Sequence, residues 1–142
     1  MNPPLNVRLL HPAAILPTRS TERAAGLDLY AIEPVVLFPN TPTKVRTGIA
    51  MQIPHGYVGQ VWDRSGLGSR GVRVLAGVID SDYEGEIMVC LALIGHTSIT
   101  LNPGDRIAQL LIVPIHWLSV QEAWDDSRFS QRGQSGFGST GA

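Results

Sequence analysis

Asp80, Asp82, Tyr83 and Glu84 fall within five positions of one another, in the stretch Gly77-Val78-Ile79-Asp80-Ser81-Asp82-Tyr83-Glu84-Gly85-Glu86-Ile87. Asp82-Tyr83-Glu84-Gly85 reads as a tight turn, opened by Asp and closed by Gly. Apolar residues on both sides make the piece a β-hairpin. Asp80 ends the apolar lead-in, where partial desolvation would tune a carboxylate as a general base. The same residues also fit an ordinary solvated turn, and the stretch alone leaves both readings open. A second stretch, Asp63-Arg64-Ser65-Gly66-Leu67-Gly68-Ser69-Arg70-Gly71, combines guanidinium forks, hydroxyls and glycines that leave backbone N–H groups open. That suits phosphate oxygens. It matches neither the Walker pattern nor the dinucleotide fingerprint, and a plain Gly-rich turn would look the same. A third, Arg132-Gly133-Gln134-Ser135-Gly136-Phe137-Gly138-Ser139-Thr140-Gly141, frames one aromatic ring with glycines between an arginine and two hydroxyls. A linker has no use for Phe137, whereas a lid that stacks a base and clamps phosphate does. A disordered terminus is the competing reading.

These groups need a scaffold, and the chain supplies a β one. Asn6 to Leu10, Pro34 to Phe38, Tyr57 to Trp62 and Arg106 to Ile115 read as strands. Lys44 to Ile53 shows period 2, with Val45, Thr47, Ile49, Met51 and Ile53 on one face. Pro54-His55-Gly56, Gly95-His96 and Asn102-Pro103-Gly104-Asp105 are turns. No 3.6-residue pattern lasts three turns, and only Ser65 to Arg70 could form one helical turn. Short strands with frequent Gly/Pro turns predict an all-β sandwich or barrel. Two polar residues break the pattern. Asp28 lies between Leu27 and Leu29, and Gln109 sits in an apolar strand where a buried amide needs partners.

The 142 residues fit one domain with a real core, and the composition changes only at the end, where Ser130 to Ala142 reads as a mobile tail. A net charge of −1 argues against a general nucleic-acid or membrane surface. Lys44 is the only lysine against ten arginines, which fits phosphate forks but is explained better by a codon bias. Cys90 is the only cysteine, so no intrachain disulfide is possible and a buried thiol in a reducing, cytoplasmic compartment is expected. His11, His55, His96 and His116 show no ligand spacing.

The Asp28 segment, the Arg64-Ser65-Gly66 loop, Gly77 to Glu86, Gly104-Asp105-Arg106-Ile107-Ala108-Gln109-Leu110 and the Arg132 to Gly141 tail occur in that order. Together they resemble the five motifs of the trimeric deoxyuridine triphosphatase (dUTPase) family. The resemblance implies an all-β, jelly-roll-like distorted β-barrel with one short helix after the phosphate loop and a flexible C-terminal arm. Residues 1–130 would form the β domain and 131–142 the arm closing over a neighbouring active site. It implies hydrolysis of dUTP to dUMP and pyrophosphate, with Mg²⁺ on the triphosphate and a homotrimer whose sites are shared among subunits. It implies no direct nucleic-acid or membrane partner.

By the same resemblance, Asp80 is the base that activates water for in-line attack on the α-phosphorus. Tyr83 packs on the deoxyribose and excludes a 2′-hydroxyl. Main chain from Leu75 through Gly77 and Val78 to Ile79 reads uracil. Arg64, Ser65 and Gly66 grip the α- and β-phosphates, Gln109 orders the α-phosphate region, and Asp28 holds the metal through water. Arg132, Gly138, Ser139 and Thr140 take the γ-phosphate end while Phe137 covers the base. The chain departs from the family at Asp63, where proline is usual and a negative charge now stands beside the phosphate loop. Glu84 replaces arginine, Val74 replaces an asparagine found in many bacterial members, and Ser135 replaces a glycine. Two rivals remain: a dCTP deaminase on the same fold, which would not carry the Phe-Gly-Ser-Thr tail, and a nucleotide-gated regulator that hydrolyses dUTP incidentally.

Overall fold

The computed structural model describes residues 3–139 and 141. Eleven strands and one helical turn follow in chain order: β1 (Asn6–Leu9), β2 (Leu27–Tyr30), β3 (Val35–Leu37), β4 (Thr43–Arg46), β5 (Ile49–Gln52), β6 (Tyr57–Trp62), α1 (Ser65–Gly68), β7 (Val72–Leu75), β8 (Val78–Ile79), β9 (Met88–Leu93), β10 (Ile99–Leu101) and β11 (Arg106–Pro114). All strand pairs are antiparallel. They form four sheets, β1-β5, β10-β3, β2-β11-β6-β8 and β4-β9-β7. The architecture is the expected jelly-roll-like β structure, but the sheets do not close into a barrel.

The inward faces of these sheets make one core, with Leu29, Leu37, Val45, Leu91, Ile107 and Leu110 almost completely enclosed. Burial of each such side chain contributes about 1.5–3 kcal/mol, enough in sum to hold short strands that would not pair alone. The longest strand, β11, lies between β2 and β6 and carries the central sheet.

Two sequence expectations change in the structure. Val45, Thr47, Ile49, Met51 and Ile53 are all buried, as the period-2 pattern requires. Yet the strand they suggested is two, because Gly48 turns the chain at φ 67° and sends β4 and β5 into different sheets. Only glycine fits there, since a side chain would meet His11, Ala14 and Ile32 besides adopting a left-handed backbone. The second change concerns the acidic bend. Its hydrogen-bonded turn runs from Asp80 to Tyr83, with the Tyr83 N–H on the Asp80 carbonyl at 3.1 Å, two residues earlier than the sequence suggested. The strands flanking it, β8 and β9, pair not with each other but with β6 and with β4 and β7. The bend is a crossing between sheets.

Beyond β11 the chain leaves the body. Ile115 still donates to the Gly56 carbonyl at 2.9 Å, and the rings of Trp117 and His55 lie 4.4 Å apart. Residues 116–135 are all exposed and form neither strand nor helix. Cys90, expected buried, is half-buried on β9.

Candidate active site

Strand register assembles the first group of polar residues. Gln109 on β11 stands opposite Asp28 on one side and Trp62 on the other, so three strands bring Asp28, Gln109 and the loop after Trp62 to one place. Asp28 is 6% exposed. Its Oδ1 accepts from Arg64 Nε at 2.9 Å, and Arg64 Nη1 also reaches the Arg106 carbonyl at 3.4 Å. Asp28 Oδ2 faces Arg106 Nη1 at 3.7 Å and is a buried oxygen without a hydrogen-bond partner among the described residues. Gln109 Nε2 donates to the Asp63 carbonyl at 2.8 Å, which supplies the partner its burial demanded. Gly26 is small because the Gln109 amide fills the space a side chain would need.

The loop itself is held from beneath. Arg64 is the extended residue ahead of α1, and its carbonyl accepts the Gly68 N–H at 2.7 Å. Gly66 has open space where a side chain would stand. A groove of about 580 Å³ runs beside it, lined by Arg64, Gly66, Arg70, Asp105 and Arg106 among others. Three guanidiniums against two carboxylates, Asp105 and the Asp28 that Arg64 binds, leave that groove a place for anions. The charge feared at Asp63 is compensated: Oδ2 pairs with Arg73 Nε at 2.9 Å, and Oδ1 accepts the Val74 N–H at 2.6 Å.

The acidic bend forms a second group. Asp80, Tyr83, Ala76, Val78, Ile79 and Met88 line a cavity of about 190 Å³, together with Glu86 and Ile87. Ala76 turns into it at φ 51°, a backbone conformation that non-glycine residues adopt only under constraint. Gly77 packs so closely on β6 that a methyl would lie 2.5 Å from the Val61 carbonyl, and its own carbonyl accepts the Val61 N–H at 2.7 Å. Asp80 is exposed, so the desolvation expected from its apolar neighbours is absent in the single chain.

The tail is the third group. Arg132 Nε donates to the Ser135 carbonyl at 2.7 Å, and the Ser139 N–H reaches the Gly136 carbonyl at 3.0 Å. Phe137 is fully exposed, with φ 50°. Among the described residues no hydrogen bond ties 132–139 to the β body. Thr140, expected at the γ-phosphate end, lies outside the described residues.

One chain therefore does not bring the three groups together. The β6–β8 register sets Ile79 opposite Gly59, so Asp80 comes level with Val58. Val58 and Trp62 lie about 13 Å apart along β6 at about 3.3 Å per residue, and Arg64 follows Trp62 at that far end. Arg106, Arg73 and Arg46 were given no role by sequence reasoning. Arg106 stood inside a quoted motif, but nothing along the chain announces that Arg73 meets Asp63 or that Arg46 meets Glu86.

The family model described as dUTPase matches residues 13–141. A deoxyuridine 5′-triphosphate nucleotidohydrolase from Ehrlichia canis (strain Jake) is 46% identical over 134 residues, covering 89% of this chain and 86% of its own. Among solved structures, a Staphylococcus bacteriophage 80alpha dUTPase with dUpNHpp superposes with a TM-score of 0.87 at 31% identity, covering 99% of this chain and all of that one (100%). A variant dUTPase from phage phi11 of S. aureus, solved with a structural Mg(II) ion, gives a TM-score of 0.82 at 28% identity, covering 89% of this chain and 100% of that one.

Proposed function

This chain belongs to the dUTPase family and is a hydrolase of dUTP to dUMP, and we propose that it works through active sites assembled from three copies. The observation that carries the proposal is the separation along β6. The base candidate and the phosphate loop stand at opposite ends of one ladder, and the arm touches neither. Copies related by a threefold axis would bring one chain's Asp28–Arg64–Gln109 cluster, another's bend and a third's arm to the same substrate. The β domain of residues 1–130, whose last fifteen residues are the exposed lead away from β11, then ends where the closing arm 131–142 begins.

In that site Asp80 accepts a proton from water as its oxygen attacks the α-phosphorus in line, and pyrophosphate departs on the opposite side. Arg64, with the open main chain of Ser65 and Gly66, holds α- and β-phosphate oxygens. Gln109, braced on the Asp63 carbonyl, keeps the α-phosphate region in register. Tyr83 packs on the deoxyribose, and main chain between Leu75 and Ile79, including Gly77 and Val78, reads uracil. Arg132, Gly138, Ser139 and Thr140 close on the γ-phosphate with Phe137 over the base. Positioning and charge stabilisation of this kind provide most of the rate enhancement in phosphoryl transfer.

A divalent cation fits the residues present. No three His, Cys, Asp or Glu side chains converge among the described residues, so the protein offers no cage of its own. Mg²⁺ typically binds substrate phosphates and keeps several waters, and Asp28, whose buried Oδ2 lacks a hydrogen-bond partner among the described residues, would accept from such a water. When bound, the ion would neutralise triphosphate charge. The substrate in a relative, dUpNHpp, is a dUTP analogue and favours dUTP here over the dCTP of the deaminase reading. Among the described residues no helix is long and apolar enough to cross a membrane, which agrees with the proposed cytoplasmic location.

Pyrophosphate release with dUTP and dCTP tests the reading, using the full chain and Asp80→Asn. Turnover of dUTP alone is expected, and kcat should fall at least about 10²-fold in the variant. Near-normal turnover by Asp80→Asn would return that carboxylate to the solvated-turn reading.

A further inference from the structure

The bend that carries Tyr83 has few supports of its own. Its backbone bond to Asp80 is single, β8 is two residues long, and β8 and β9 belong to different sheets. Tyr83 is seated by other means. Its ring crosses Gly85, where a methyl would stand 2.7 Å from Cζ, and its hydroxyl donates to the Glu86 carbonyl at 2.8 Å. Glu86 is gripped in turn by Arg46 through two parallel bonds, Nε to Oε2 at 3.0 Å and Nη2 to Oε1 at 2.9 Å. Such a fork fixes both the position and the plane of a carboxylate. The peptide plane that carries the Glu86 carbonyl is also held at its N–H, which is that of Ile87 and reaches the Ile49 carbonyl at 2.8 Å, and Thr47 Oγ1 donates to the Ile87 carbonyl at 2.5 Å.

Glu86 and Tyr83 line the 190 Å³ cavity, and Arg46, which is not among the lining residues, meets it only through Glu86. We infer that Arg46 is a positioning residue for sugar discrimination: by fixing the Glu86 side chain it adds a second hold to the peptide whose carbonyl seats Tyr83, and so sharpens how strongly the site rejects a ribonucleotide. The inference rests on the proposed packing of Tyr83 against the deoxyribose. A ring rejects an added hydroxyl by overlap, and overlap falls steeply with displacements well below an ångström. With the fork gone, the two ties on Ile87 still hold the chain, but the ring's footing loosens. The expected loss is in discrimination more than in turnover.

The test is kcat/KM for dUTP and for UTP, by pyrophosphate release, on the full chain. Arg46→Met keeps the stem and removes the fork. The dUTP:UTP ratio should fall about two- to fivefold, on the scale of one partly exposed ion pair, mainly through faster UTP turnover. Arg46→Lys, which keeps charge without the fork, should lie between. Pairing Arg46→Glu with Glu86→Arg should restore most of the ratio. Gly85→Ala, which displaces the ring without touching the ion pair, should lower it as well. A purely structural Arg46 would slow both substrates by one factor and lower the melting temperature with the ratio intact, and that outcome overturns the inference. Absence of dUTP turnover in the unmodified protein would instead sink the functional reading.

Discussion

Asp63 joins two segments that lie eleven and forty-six positions further along the chain: its Oδ1 takes the backbone N–H of Val74 at 2.6 Å while its carbonyl takes the Gln109 amide at 2.8 Å. The residue before the phosphate loop is thus braced on β7 and on β11 at once. Asp63→Ala would leave the Val74 N–H without its acceptor, a loss of about 1–3 kcal/mol for a part-buried donor. Urea unfolding should show that loss, and the dUTP KM should rise because Arg64 is the next residue. Asp63→Asn, which keeps an acceptor, should lose less of both. Equal behaviour of the two variants would mean the Val74 contact holds nothing in place.

Shared sites predict complementation. Asp80→Asn and a chain ending before Arg132 should each be nearly inactive alone. Unfolded and refolded together they should regain activity, because some mixed trimers build a site from an intact bend and an intact arm. Mixed trimers demonstrated by mass but lacking activity would mean that each chain supplies its own bend and arm.

The arm should respond to the number of phosphates. Ordering about ten residues costs on the order of 10 kcal/mol of backbone entropy, and stacking of one ring returns only about 1–3 kcal/mol. Charge-assisted bonds from Arg132, and from Ser139 and Thr140, must contribute the remainder. Phe137→Trp fluorescence should therefore change with a non-hydrolysable dUTP analogue and hardly at all with dUMP, against the background of Trp62, Trp117 and Trp124. An equal response to both would make stacking the dominant contribution.

The Arg46–Glu86 pair should give stability a pH signature. Hydrogen bonding from Arg46 holds the Glu86 carboxyl below its ordinary value of 4.5, against the opposing effect of partial burial. A depressed carboxyl stabilises the fold above its unfolded value and loses that contribution as pH falls through its folded value. The stability difference between the unmodified protein and Glu86→Gln should be flat near neutrality and shrink below about pH 4.5. Arg46 stays charged throughout, so a difference that grew on acidification would assign the contribution to another group.

Much of this was legible in the chain, for reasons that can be located. Alternation marked the burial of Val45 through Ile53, and polar intruders among apolar neighbours marked Asp28 and Gln109, whose partners are now visible. The strand break at Gly48 was not legible, because a glycine in an alternating run fits a straight strand until its φ is known. The bend was displaced by two residues because Gly85, which looked like a turn glycine, is small to admit the Tyr83 ring. Arg46 and Glu86 lie forty positions apart, and no local pattern announces a partner at that distance.

The length of strand between Asp80 and Arg64 also governs what happens when the protein is scarce. If sites are shared, a lone chain holds the parts of three different sites and completes none. Under the shared-site reading, activity per chain must vanish on dilution far more steeply than folding does. Substrate lying across the seams would then add its own binding energy to the association of the copies. The nucleotide the enzyme destroys would act as its mortar, and exhaustion of that nucleotide would leave the assembly at its weakest.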